Sequence, residues 1–225
     1  MQGTGLVEIM RCLILTFFTV TILLFTGTSY SGTLTKAEIS GLSPDGKYLS
    51  FHEYGTADGS GEPFDDYRII DVDNNCYIGK SFKTDDTAYI TLLKKYGINQ
   101  KLKASLIYKS EESCQMSSLL YSYKFSYDNI DYHLILKEYN APGTSDCDHD
   151  LSVDFKKMEL FIEYGNHTRT LQKDVELPSS RRCVLAYGIN SIYLFKNKII
   201  IFLNYYTRGF EGPDINKMIV TGTIK

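Results

Sequence analysis

The chain has 225 residues, 43% hydrophobic and 23% charged, with a formal net charge of −3. Those proportions belong to a folded globular protein and exclude intrinsic disorder. Lysines and arginines scattered over a mildly acidic chain exclude an electrostatic nucleic-acid interface. Eighteen Tyr and twelve Phe with no Trp favour strands, where aromatic side chains suit a pleated, half-buried surface.

In chain order, the first feature is a leader. Arg11 precedes an uncharged, mostly apolar run from Cys12 to Phe25, followed by small residues that place a cut at Ser31/Gly32. A basic flank, a short apolar core and a small-residue exit are the marks of a secretory signal peptide. The apolar run is shorter than the roughly 20 residues that span a bilayer comfortably. Residues 1–31 are therefore read as the leader, with Met10 a tidier start than Met1 and residues 1–9 an over-extended one. The competing reading is an uncleaved anchor. Cleavage leaves no stable transmembrane span, and residues 32–225 form a single secreted, mostly-β domain. Four cysteines survive it: Cys76, Cys114, Cys147 and Cys183. An even number outside the cytoplasm predicts one or two disulfides, with three pairings open. None lies in a C-x-x-C or a short ligand loop, so neither a thioredoxin motif nor a zinc site is expected.

The mature part opens on a turn, Ser43-Pro44-Asp45-Gly46, whose residues preset φ, bond the local backbone and accept positive φ. Alternation from Tyr48 to Tyr54 predicts a half-buried strand, residues 55–63 a polar Gly-rich loop, and residues 66–72 the returning strand. This hairpin, ending in Ile70-Asp71-Val72-Asp73, reads like part of a propeller blade, although the chain lacks the length and repeats of a propeller. Residues 85–97 predict a helix capped by Asp85 or Asp86 and closed at Gly97. Further strands are expected at 102–108, 119–127, 132–139, 155–164, 168–175, 191–195, 199–205 and 217–224. Tight turns fall at Asp128-Asn129, Gly165-Asn166 and Lys196-Asn197. Residues 125–139 weakly echo 42–54, which recurrent hairpin chemistry explains as well as duplication does. The predicted class is mainly β, with antiparallel meanders and one or two short helices.

Several stretches carry candidate chemistry. Residues 52–66 hold Glu53, Tyr54, Asp58, Glu62, Asp65 and Asp66 among three glycines. Such a loop can contact a ligand, and its oxygens suit Ca²⁺, but the spacing does not fit an EF-hand. No cofactor is assigned. Asp146-Cys147-Asp148-His149-Asp150 crowds carboxylates around an imidazole, yet adjacent loop residues rarely converge on one ion, so no metal is assigned there either. Gly209-Phe210-Glu211-Gly212-Pro213-Asp214 is a rigid turn that can present Phe210, Glu211 and Asp214. There is no Gly-x-Ser-x-Gly elbow, P-loop, HExxH or dinucleotide fingerprint.

Taken together, Ser43-Pro-Asp-Gly-Lys-Tyr48, Phe51-His-Glu-Tyr-Gly55, Pro178-Ser-Ser-Arg-Arg-Cys183, Tyr187-Gly-Ile189, Gly209 to Asp214 and Val220-Thr-Gly222 resemble a bacterial family of predicted secreted proteins, domain of unknown function 2259. The chain departs from that pattern in having Phe51-His-Glu-Tyr54 and a shortened helical stretch. The resemblance implies an exported, periplasmic domain and a disulfide between Cys147 and Cys183; Cys76–Cys114, the pair that then remains, is the weaker second pairing. It implies no catalytic residue. The function read from all this is a non-catalytic binding domain of the cell envelope, its partner another envelope protein, a peptide or a glycan. The alternative is an exported hydrolase of glycans or esters, using Glu53 with Asp58 or Asp65 as a carboxylate pair.

Overall fold

A computed structural model describes residues 32–57, 60–110, 116–141, 147, 154–177, 181, 183–209 and 212–225. The leader, Asp58, Cys114, Phe210, Glu211 and most of the loop around Asp146 to Asp150 lie outside the described residues. Strand makes up 62% and helix 7%, so the chain is mainly β. Among the described residues, twelve strands form three four-stranded antiparallel sheets.

The first sheet is a meander of β1 (Lys36–Leu42), β2 (Tyr48–Thr56), β3 (Pro63–Asp71) and β4 (Cys76–Tyr77). The second takes β12 (Pro213–Thr223), β11 (Lys198–Arg208), β10 (Val184–Phe195) and β5 (Ser105–Lys109), in that order. The third is a meander of β6 (Ser122–Tyr127), β7 (Ile130–Ala141), β8 (Phe155–Tyr164) and β9 (His167–Lys173). The α-helix among the described residues, α1 (Thr87–Lys95), is capped by Asp86, whose carboxylate accepts the Ala88 N–H at 2.8 Å. β1, the N-terminal half of β10 and the two-residue β4 are additions to the strands expected from the sequence.

Layering follows from which faces are apolar. β11 carries Ile199-Ile-Ile-Phe-Leu203 without interruption, all fully buried. A strand covered on both faces needs no polar alternation. One face of the second sheet packs Ile200, Phe202 and Ile219 against Leu49, Phe51 and Ile70 of the first. The other face packs Ile189, Ile201, Leu203 and Val220 against Leu134, Leu160 and Ile162 of the third. The first sheet is in turn covered by α1, where Ile69 and Phe82 meet Tyr89, and the Tyr89 hydroxyl lies 2.8 Å from Ser50 Oγ. The order of layers is thus helix, first sheet, second sheet, third sheet.

Cys147 and Cys183 are bonded, their Cα atoms 5.3 Å apart across 36 residues of chain, as the family resemblance implied. The weaker pairing is not made at Cys76, which sits at the start of β4 as a free, exposed thiol. β12 is an edge strand, and its exposed edge is covered at two points. Near its start, Thr35 N–H donates to Ile215 O at 2.9 Å and Ile215 N–H to Thr33 O at 2.8 Å. Near its end, Thr221 N–H donates to Asn75 Oδ1 at 2.8 Å. Asn75 adopts φ +49° in the β3–β4 turn, and its amide also reaches Gln172 of β9 at 2.8 Å. Between those covers the edge of β12 faces a cavity.

Candidate functional site

That cavity, about 340 Å³, lies where all three sheets meet. Its origin is the period of two along β2 and β3. Leu49, Phe51 and Glu53 share one face of β2, opposite Ile70, Arg68 and Asp66 of β3. Leu49, Phe51 and Ile70 are fully buried against the second sheet. Glu53 and Arg68 continue the same face past the end of that apolar patch and close the cavity from one side. Arg68 Nε donates to Glu53 Oε2 at 2.9 Å. Tyr77 of β4, Tyr205 of β11, Gln172 of β9, Lys217 of β12 and Arg181 are among the other wall residues.

Burial holds the Glu53 carboxyl above its ordinary range, with Arg68 opposing and Asp66 adding to the rise. Burial likewise raises Tyr205, with the Glu53 charge adding to it, and lifts Tyr77 to about 12. Half of Tyr77 is exposed, so its ring covers the cavity while its hydroxyl is drawn in beside Ile219. The Arg68 guanidinium sits 5.6 Å from the centre of that ring, within reach of a cation–π contact.

Arg181, also in the cavity wall, makes a second ion pair. Arg181 grips Asp174 bidentately, both bonds at 2.8 Å, and also donates to the Tyr187 hydroxyl at 3.0 Å. The Asp174 carboxylate also accepts the Met158 N–H at 3.2 Å, and only 1% of its side chain is exposed. Desolvation lifts Tyr187 to about 12, with the Arg181 charge opposing. A phenol whose folded value is raised stabilises the fold below its ordinary value of 10 and loses that contribution as pH climbs to about 12. Alkaline titration followed by tyrosinate absorbance should therefore show Tyr77, Tyr121 and Tyr187 ionising last, near pH 12. In Tyr187→Phe one of these late equivalents should be missing.

The residues expected in one acidic loop do not form one site. Glu53 faces the three-sheet cavity. Tyr54, one residue on, points the other way and stacks on His52 at 4.6 Å. Asp65 is on that opposite face too, its Oδ1 2.8 Å from His52 Nε2. The Glu53–Asp65 pair of the hydrolase reading is thus split across the sheet, because Asp65 lies opposite Tyr54 in the register and Glu53 opposite Asp66. Asp66 in turn meets Lys83 at 3.0 Å, so these carboxylates each face a cation or imidazole instead of a shared ion. Glu62 is exposed at the turn. Asp214 serves the fold, its Oδ1 accepting the Thr33 N–H at 2.7 Å.

Sequence reasoning missed Arg68, Tyr77, Gln172, Tyr205 and Lys217. Lys217 carried a signal: it interrupts the inward series Ile215, Ile219 of β12, opposite Asn204, which follows Phe202 on β11. A polar pair on an otherwise apolar face marks a place where the layers part.

Residues 50–223 match the model of the family described as Predicted secreted protein (DUF2259). The chain belongs to that family. The match takes in every residue named in the wall of the cavity and both bridged cysteines, while β1 precedes it. DUF2259 is a class of predicted secreted proteins of unknown function, and a disulfide suits secretion. No curated protein and no solved structure matches the chain.

Proposed function

We propose that this is a periplasmic, non-catalytic binding domain, delivered by cleavage of the leader at residues 1–31. Its three-sheet cavity takes a polar segment of a peptide or glycan. The observation that carries this reading is the composition of the cavity wall: one carboxylate already held by Arg68, flanked by Tyr77, Tyr205 and the Gln172 amide. An ion pair supplies a fixed acceptor and a fixed donor, and the tyrosines offer flat apolar faces with polar tips, which together suit recognition of polar chains. A glycosidase needs a second carboxyl about 5–10 Å from the first across the same cleft. Among the described wall residues Glu53 is the sole carboxylate.

Arrays of oligosaccharides and short peptides test the reading directly. The mature chain should be retained by a subset of the array, and Arg68→Ala or Tyr77→Ala should weaken that retention roughly tenfold or more, because truncated Arg and Tyr anchors cost about 2 kcal/mol. Both side chains are at least a third exposed, so the variants should fold. Hydrolysis of chromogenic glycosides or esters that disappears in Glu53→Gln would favour the hydrolase instead.

A further inference from the structure

The strand edge at the Glu53 cavity is poorly suited to a peptide backbone. Ile215 N–H donates to Thr33 O, and Ile215 O accepts the Thr35 N–H. Thr221 N–H donates to Asn75 Oδ1, and between these two covers the Ile219 N–H faces the Tyr77 hydroxyl. Outward backbone groups recur at every second residue of an edge strand. These covers therefore leave no two successive outward positions for an added strand, the usual way an extended peptide docks on a sheet. What the wall offers instead is side-chain groups. Among the described residues, Arg68 meets Glu53 through Nε alone, which leaves Glu53 Oε1 as an acceptor and both terminal nitrogens of Arg68 as donors. Gln172 gives its Oε1 to Asn75 and keeps its NH₂. The Tyr205 hydroxyl, also in the wall, has no hydrogen-bond partner among the described residues. Besides burial, the charges of Glu53, Arg181 and Arg68 all act on that hydroxyl, which sets it among them.

Both guanidinium charges in the wall are matched, Arg68 by Glu53 and Arg181 by Asp174, and the Lys217 ammonium is already engaged with Asn204. A ligand carboxylate would have to compete with Glu53 or Asp174 for its cation, and a ligand ammonium with Arg68 for Glu53, each at a cost in lost hydration. A ligand of hydroxyl groups avoids that cost. Each hydroxyl both donates and accepts, so neighbouring ones can meet the Glu53 acceptor and the Arg68 donors together. The ring of Tyr77, half exposed over the opening, supplies a flat apolar face for the C–H side of a sugar. At about 340 Å³ the cavity is at the small end of ligand sites, which run from roughly 300 to 1,000 Å³, and so suits one ring. Given that the Glu53 cavity is a binding site, we infer that its ligand is an uncharged sugar ring of a glycan, held through its hydroxyls by the Glu53–Arg68 pair, the Tyr205 hydroxyl and the Gln172 amide.

Titrations of the oxidised mature chain, followed by amide NMR, test this. Maltotriose, cellotriose and N,N′-diacetylchitobiose serve as neutral probes, digalacturonate and the glucosamine dimer as charged ones, and blocked Ala-Gln-Ala and Ala-Glu-Ala as peptides. At least one neutral sugar should shift Tyr77, Gln172 and Tyr205 saturably, with every charged sugar and both peptides at least roughly tenfold weaker. Tyr205→Phe should weaken that sugar roughly tenfold while leaving thermal unfolding unchanged, since the hydroxyl it removes is unpartnered in the fold. Arg68→Lys, which keeps the charge and loses the fork of donors, should weaken it likewise. Equal or tighter binding of a charged sugar or a peptide would overturn the inference and leave the cavity a binding site of another class. Undiminished binding in Tyr205→Phe would also overturn it, and silence with every probe would overturn the binding reading as well.

Discussion

Arg181→Ala should lower unfolding stability by about 3–5 kcal/mol, the largest effect expected of any single substitution considered for this chain. The substitution leaves the Asp174 carboxylate, 1% exposed, with a backbone N–H but no counter-charge among the described residues. It also removes the guanidinium that donates to the Tyr187 hydroxyl. A domain of this size has on the order of 5–15 kcal/mol in total, so the loss should appear as a large shift in the urea midpoint at constant slope. The cost comes from a stranded charge, not from a missing attraction. Arg181→Met combined with Asp174→Leu should therefore recover most of it, because buried pairs are often replaceable by apolar residues of similar volume. If the double variant is no more stable than Arg181→Ala, packing and not charge is what Arg181 supplies.

Reduction of the Cys147–Cys183 bond should cost about 3–4 kcal/mol, the loop-closure entropy of a 36-residue loop. Cys183 stands immediately before β10, which pairs with both β11 and β5 in the middle of the molecule, and two residues after Arg181. The bond therefore fixes the entry of the chain into its most buried strand. Unfolding of the oxidised chain, the reduced chain and Cys147→Ser/Cys183→Ser should give one high and two matching low midpoints. Equal midpoints in all three would mean that the bridge constrains nothing that folding must otherwise order.

The mainly-β class, the helix at Thr87–Lys95 and most hairpin turns were legible in the sequence because they are local. Asp86 caps the helix, Gly97 takes φ +61° beyond its end, and Asn129 and Lys196 take positive φ in their turns. What was not legible is the layering. β1 lacks clear alternation, and the continuous apolar run of β11 states that both faces are covered without stating by what. The site was half visible for the same reason. Glu53 stood out as one of a cluster of acidic residues, but strand geometry sends Glu53 and Tyr54 to opposite faces, so the cluster along the chain is not a cluster in space. Tyr205, Gln172 and Lys217 join Glu53 from strands more than a hundred residues away. Asp174 offered no local signal, since only the fold brings Arg181 to it.

The account turns on Glu53 being kept for recognition and not for stability, and the pH dependence of Glu53→Gln measures this. Burial raises the folded value of the Glu53 carboxyl above its ordinary 4.5 even with Arg68 alongside. Below 4.5 both folded and unfolded chains carry the proton and the group is neutral to stability. As pH rises through the folded value, ionisation costs the folded state, and the wild-type chain loses ground that glutamine cannot lose. Thermal unfolding of the two chains should thus coincide in acid and diverge towards pH 7, with Glu53→Gln the more stable. A Glu53→Gln chain that melts below wild type at pH 7 would contradict the account and make the Glu53–Arg68 pair a structural clasp.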